Sequence, residues 1–463
     1  MIFVYLQDIM GAFHAYDIRG IYGVDFDRTT AYKVGYFLPE LLGAKEVLVG
    51  RDCRVSSQEI HDALLEGICD AGADVADIGL SSTPMVYFGT ANYGFKASVQ
   101  ITASHNPAEY NGMKVSRENA LPVGLDTGLG QIKAWIEEGR PTPPAAVRGR
   151  VREMDIHQDY IDFMMKYKGD YSGLKIAFDL SNGMSCLFAH EVFGEEPAYL
   201  FDTLDGRFPN HEPNPLVAKN VEPLKQLVRR TGADVGVIYD GDADRVMFVD
   251  EKGQFVAPDL VIAMMALYFC DERGEKNPRV LQEIRSSKAV GEYLARYGAE
   301  LHTWRVGRAF AAPKLREIDG LWGGELAGHY YFKDFFYSDS GLLSSLIVLH
   351  IVAALKKQGK TFSGQIAEIA GYCNSGEINF RLEDKPGAMK AVCAFFSGQE
   401  QPLKVMDFDG YRLEFADWWF NIRPSNTEPY LRFICEARSE ALLQEKIDEA
   451  CRLLTERFGA VRS

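Results

Sequence analysis

The sequence predicts an α/β protein of several domains: three consecutive α/β domains on mixed or parallel sheets, then a C-terminal α+β domain. Three observations carry this. At 463 residues the chain exceeds what one hydrophobic core serves, and suggests about three or four domains. Up to residue 365, short apolar runs alternate with helix-length stretches, the pattern of βαβ units. From residue 366 onward, strand-like runs cluster instead of alternating.

In chain order, residues 46–49 read as a strand, 57–71 as a helix, 73–78 as a strand, 83–92 as a helix and 97–101 as a strand. Pro141-Thr142-Pro143-Pro144 marks a linker near 140–152. The second segment has strands at 174–180 and 235–239 around a helix at 222–231, and the third has strands at 280–284 and 300–306 around a helix at 289–297. Residues 341–357 form a long helix whose apolar part, interrupted by Ser344, Ser345 and His350, is too short to span a bilayer. The last segment has strands at 377–382, 411–416, 419–422 and 430–437, with helices at 386–396 and 440–457. The domains expected are therefore 1–150, 151–255, 256–365 and 366–463.

A net charge of −15 argues against a nucleic-acid or anionic-membrane partner, so an anionic substrate must be drawn by a local basic cluster. The eight cysteines show no C-x-x-C spacing, which predicts reduced thiols and a cytoplasmic protein; the sequence leaves open whether it is a monomer or homodimer. The apolar start at Met1 has no basic lead and is interrupted by Asp8, which argues against a signal peptide. Met10 is an alternative start, which would leave residues 1–9 as an upstream extension.

Asp240-Gly241-Asp242-Ala243-Asp244-Arg245 follows the apolar run Val235-Gly236-Val237-Ile238-Tyr239, so a buried strand delivers three carboxylates at alternate positions. Like charges this close repel unless a cation lies between them, and oxygen ligands alone suit a hard divalent ion, Mg²⁺ first. A second motif, Thr102-Ala103-Ser104-His105-Asn106-Pro107, sits at the carboxyl end of a strand, where open α/β sheets bind ligands. Its Asn-Pro turn is expected to expose Ser104. The third, Gly323-Gly324-Glu325-Leu326-Ala327-Gly328-His329, pairs a carboxylate able to accept from two hydroxyls with a histidine able to move protons. The fourth, Arg423-Pro424-Ser425-Asn426-Thr427-Glu428-Pro429, is a stiffened, donor-rich loop suited to phosphate oxygens.

Together these motifs resemble the α-D-phosphohexomutase family, bacterial phosphomannomutase/phosphoglucomutase type, in order along most of the chain. Tyr16-Asp17-Ile18-Arg19-Gly20, Gly50-Arg51-Asp52 followed by Arg54, and Asn111-Gly112-Met113-Lys114 are further matches. The resemblance implies four domains around a central cleft, and a phosphoryl group carried on Ser104. It implies Mg²⁺ held by Asp240, Asp242, Asp244 and that serine, and transfer to and from a phosphorylated hexose through a hexose 1,6-bisphosphate, which also primes the enzyme. Arg19, Lys114 and Arg245 would spread positive charge, and His329 or Lys114 would move the proton. Glu325 would grip sugar hydroxyls, while Arg423, Ser425, Asn426 and Thr427 would hold the idle phosphate.

Three departures fall on substrate-binding positions. Ala327 stands where the family has serine, Arg308 follows Val306-Gly307 where histidine is usual, and Arg285 replaces a lysine. Ala312 occupies a position that is commonly basic, so Arg308 either supplies that charge or signals another sugar. Alternatives to a mannose or glucose mutase are a phosphoglucosamine mutase, a metal-dependent sugar-phosphate phosphatase and a phosphosugar sensor without turnover. A phosphatase with D-x-D as its nucleophile leaves Ser104 unexplained. A calcium loop fails because Arg245 occupies the position that needs glycine.

Overall fold

The computed structural model describes residues 10–425 and 429–462. The extension proposed for residues 1–9 lies outside the described residues, as do Asn426 and Thr427. The chain forms two compact units. One comprises residues up to Pro258 with Gly307–Gly323 and Ala327–Ser363; the other comprises Asp259–Val306, Gly324–Leu326 and Gly364–Ser463.

The first unit begins with a mixed sheet in the order Ile18–Ile21, Tyr110–Arg117, Ala97–Ile101, Glu46–Arg51, Asp74–Leu80, Val151–Glu153. The strands at 46, 74 and 97 run parallel, as the alternating pattern predicts. The strand Tyr110–Arg117, which the sequence reading did not resolve, returns antiparallel beside Ala97–Ile101 and brings Lys114 level with Gln100. The linker near 140–152 ends in the short edge strand Val151–Glu153. Apolar residues of the helices Arg28–Leu42 and Ser57–Asp70 close one core with Val47, Val49, Val99 and Ile101.

The second sheet has Val235–Tyr239 at its centre, parallel to Ile176–Asp179 on one side and antiparallel to Val246–Asp250 on the other. Every residue of Val235–Tyr239 is buried, as its unbroken apolar run requires. The helix Ala218–Thr231 covers it with Val221, Leu224, Leu227 and Val228. That helix starts at Ala218, not at 222, and carries Pro223 inside it. A Cβ on Gly236 would stand 2.8 Å from Val228 Cγ2, so this glycine sets how closely the helix approaches.

The helix Gly341–Lys357 is predominantly buried and packs on the strands Val235–Tyr239 and Val246–Asp250. Its N-cap Ser340 accepts from the Leu343 amide at 3.1 Å, and Ser345 receives the Tyr239 hydroxyl at 2.7 Å. Among the described residues no single helix is long and apolar enough to cross a membrane. All eight cysteines are free thiols.

In the second unit, Arg279–Glu283 and Glu300–Trp304 pair in parallel. A separate antiparallel sheet runs Lys404–Met406, Tyr411–Glu414, Trp418–Pro424, Leu431–Ala437, Ile378–Arg381, Val461–Arg462, backed by the helices Lys385–Gln399 and Glu440–Phe458. This is the α+β arrangement expected of the last segment. Arg412, fully buried, donates to the carbonyls of Ile284 and Ser286 at 2.8 and 2.5 Å and so ties the two parts of this unit together.

Ile238→Ala should cost about 2–5 kcal/mol by opening a cavity beneath the helix Ala218–Thr231. Thermal unfolding is the check; a variant melting with the wild type would show that this strand is not anchored by its core.

Candidate active site

Within the first unit, two loops meet where their strands end. Ser104 follows the strand Ala97–Ile101, and Asp240 follows the strand Val235–Tyr239. Ser104 has a left-handed backbone, φ +52°, and its amide donates to Thr102 Oγ1 at 2.9 Å. Its hydroxyl lies 2.9 Å from Asp240 Oδ2. Contrary to the expected exposed turn, Ser104 is fully buried, because the acidic loop lies against it. A Cβ on Gly241 would come within 2.5 Å of the Ser104 carbonyl, so only glycine permits this approach.

Asp240, Asp242 and Asp244 are all inaccessible to solvent, and one oxygen from each lies within 4.8 Å of the others. Among the described residues, Asp242 Oδ1 and Asp244 Oδ1 have no hydrogen-bond partner. Buried carboxylate oxygens left unpaired are costly, and this oxygen-only set fits a hard metal ion. Burial, followed by the charges of Asp242 and Asp244, raises Asp240 well above the usual carboxylate range.

Cations surround the triad. Lys114 Nζ lies 2.6 Å from Asp242 and 2.5 Å from Asp244. Burial disfavours its ammonium, but those two carboxylates outweigh it and hold the group above its ordinary value. Arg245 Nε lies 3.7 Å from Asp240 and 4.0 Å from Asp244. Arg19 donates to Asn106 Oδ1 at 2.9 Å and pairs with Asp17, which fixes it beside the serine loop. Thr83, at the start of the helix Thr83–Asn92, donates its hydroxyl to Asp242, and its amide meets the Asp242 carbonyl at 3.0 Å.

His329 joins the same centre. It forms a β-bridge with Arg245, and its Nδ1 lies 2.5 Å from Asp339 Oδ2 and 3.8 Å from Asp244 Oδ1. Burial would raise Asp339, but His329 and then Arg308 overcome it and hold the carboxyl down at about 2. Arg308 donates from Nε to Asp339 at 2.9 Å and from Nη2 to the Ala120 carbonyl at 3.0 Å, and its guanidinium stacks 3.7 Å above the Tyr87 ring. Arg308, expected among the substrate-binding groups, is thus engaged behind His329. Ala327 is half-buried in the same unit.

The remaining predicted residues belong to the second unit. Glu325 is buried there. Arg285 is paired with Glu283 at 2.7 Å and Glu377 at 3.0 Å. Arg423 donates to Asp409 at 3.1 Å and keeps Nη2 buried with no hydrogen-bond partner among the described residues, a cationic donor still to be matched. Ser425 is set by its amide's 2.9 Å bond to the Tyr430 carbonyl.

Sequence reasoning missed Thr83, Asp339 and Asp409. The only local signals were a threonine opening a helix, and an aspartate just before Ser340-Gly341, where the long helix begins.

Family models of phosphoglucomutase/phosphomannomutase match the chain in order: α/β/α domain I over residues 10–142, domain II over 158–253, domain III over 257–372 and the C-terminal domain over 377–453. A phosphomannomutase of Salmonella typhimurium is 36% identical over 448 residues, spanning 94% of this chain and 96% of that protein. The crystal structure of a phosphoglucomutase/phosphomannomutase family protein from Burkholderia thailandensis superposes with a TM-score of 0.86 at 28% identity, covering 96% and 97% of the two chains. The fold is also shared with Aspergillus fumigatus N-acetylphosphoglucosamine mutase in complex with GlcNAc-6P and magnesium, at a TM-score of 0.56 and 14% identity over 88% and 82% of the chains. The chain is thus an enzyme of intramolecular phosphate transfer. It belongs to the phosphoglucomutase/phosphomannomutase family.

Asp242→Asn should weaken divalent-ion binding by at least about 10–100-fold, the loss usual even for groups one shell farther out. Calorimetric titration with MgCl₂ measures this directly; unchanged affinity would make the triad structural.

Proposed function

We propose that this enzyme interconverts hexose 1-phosphate and hexose 6-phosphate, of mannose and glucose, through a phosphoryl group carried on Ser104. The observation that carries the reading is the buried contact of the Ser104 hydroxyl with Asp240, inside a carboxylate triad with unpaired oxygens. Asp240, Asp242 and Asp244, with the phosphorylated serine, would hold Mg²⁺. When bound, that ion would neutralise phosphoryl oxygens and polarise the bond to the serine oxygen.

The protein's own groups account for the rest. The bond between Ser104 Oγ and phosphorus breaks as a sugar hydroxyl bonds to that phosphorus; the sugar hydroxyl gives up its proton and the serine oxygen takes one up, ending as a hydroxyl. With Nδ1 turned to Asp339, the other nitrogen of His329, Nε2, is available to take the sugar's proton. The hexose 1,6-bisphosphate then turns within the site and returns its other phosphate to Ser104, giving up no net phosphate. Lys114 spends two of its three donors on Asp242 and Asp244, and so acts as a fixed positive charge. Arg19 and Arg245 balance the transferred group's charge.

In the second unit, the unmatched Nη2 of Arg423, with Ser425, Asn426 and Thr427, would take the phosphate that is not reacting. Arg285 and Glu325 would meet the sugar, and Ala327 would tolerate it without a hydroxyl contact. The segments 1–150, 151–255, 256–365 and 366–463 would then contribute one loop each. A hexose bisphosphate would prime the unphosphorylated enzyme.

Ser104→Ala should abolish turnover of mannose 1-phosphate and glucose 1-phosphate, primed with glucose 1,6-bisphosphate, while sugar-phosphate binding survives; full activity would refute the mechanism. Asp339→Asn should lower kcat by about 10²–10⁴-fold with KM nearly unchanged, because it disturbs the proton acceptor and not the substrate contacts. A rise in KM alone would place Asp339 in substrate binding.

A further inference from the structure

Arg54 lies three residues beyond the strand Glu46–Arg51 and is 2% exposed. A guanidinium carries five N–H groups, and all five of Arg54 have partners. Nε bonds Asp52 Oδ2 at 3.1 Å, Nη1 bonds the carbonyls of Pro107 and Tyr110 at 2.6 and 3.0 Å, and Nη2 bonds those of Ser104 and Asn106 at 2.8 and 2.7 Å. Four of these five acceptors are main-chain oxygens: three from the loop that bears Ser104 and the fourth from Tyr110, the first residue of the strand that follows it.

The clamp is itself anchored. Asp52 Oδ1 accepts the Arg54 amide at 3.0 Å and the Ser57 hydroxyl at 2.5 Å, and Ser57 in turn receives Asn111 Nδ2 at 2.9 Å. From the second sheet's side, Phe208 covers the guanidinium at 4.9 Å. A Cβ on Gly206 would lie 2.1 Å from the Cys53 carbonyl, so the covering loop presses closely on this turn.

We infer that Arg54 is the positioning residue of the phosphoryl-carrying serine: it holds Ser104 in its left-handed backbone, φ +52°, and so fixes the line of its Oγ toward Asp240. A non-glycine residue in that conformation persists only where its surroundings over-determine it. Lysine cannot substitute, because its three donors radiate from one atom and cannot span four carbonyls. The charge of Arg54 is committed to the loop and to Asp52, which separates it from Arg19 and Arg245. Its loss should therefore slow chemistry and leave substrate affinity alone.

The inference rests on the mutase reading, and one experiment separates the two. Wild type, Arg54→Lys, Arg54→Ala and Asp52→Asn are incubated with glucose 1,6-bisphosphate; phosphate on Ser104 is followed by intact mass and turnover of glucose 1-phosphate by kinetics. A displacement of about 1 Å at a reacting atom costs on the order of 10²-fold. Arg54→Lys should thus lose about that much in both loading rate and kcat, with KM within about threefold of wild type.

Added guanidinium should restore part of the Arg54→Ala rate, a gain that a collapsed fold would not give. Asp52→Asn keeps the shape and loosens the anchor, and should show the same division on a smaller scale. Wild-type kcat in Arg54→Lys or Asp52→Asn, or a loss confined to KM, overturns the inference. A wild-type enzyme that neither loads Ser104 nor turns over overturns the mutase reading, and this one with it.

Discussion

Three carboxylates buried side by side are the constraint around which the first unit is arranged. Left to themselves they would be driven apart or protonated, since burial and mutual repulsion act in the same direction. The protein holds them together by bringing compensation from distant parts of the chain. Lys114 reaches in from a strand of the first sheet, Thr83 from the start of a helix and Arg245 from the loop's own end. The compensation is incomplete: among the described residues one oxygen each of Asp242 and Asp244 has no hydrogen-bond partner, and that incompleteness suits a centre built to receive a cation.

Around this charge balance, packing supplies direction. The approach permitted by Gly241 lets the serine loop rest on the acidic loop, and the hydroxyl of Ser104 meets Asp240 as a result. Arg308, Asp339 and His329 form a chain in which each group restricts the next, ending at a ring nitrogen beside Asp244. A buried guanidinium stacked on Tyr87 is a stiff support for such a chain, because its orientation is set on its face as well as at its edge.

The acidic loop was legible in the sequence because alternating carboxylates after an unbroken apolar strand admit few physical readings, and the buried strand is there. The long helix Gly341–Lys357 was equally plain from its apolar length. Other features were hidden because their meaning is not local. The burial of Ser104 comes from a loop 136 residues away, which no turn propensity can report. Arg308 read as a substrate-binding charge, and its contact with Asp339 was hidden because that partner stands 31 residues on and looks, in isolation, like part of a helix cap. The returning strand Tyr110–Arg117 was obscured by its polar Asn111, Lys114 and Ser116.

The contact between Thr83 and Asp242 joins positions 159 residues apart, and that between Lys114 and Asp244 joins positions 130 apart. Such pairings exist only once distant segments have docked, which carries a loop-closure cost. A growing or partly folded chain carries the acidic loop without the groups that complete it, so its carboxylates remain hydrated and pay no penalty for crowding. The centre is therefore complete only where the segment bearing Thr83 and Lys114 and the segment bearing the acidic loop have docked.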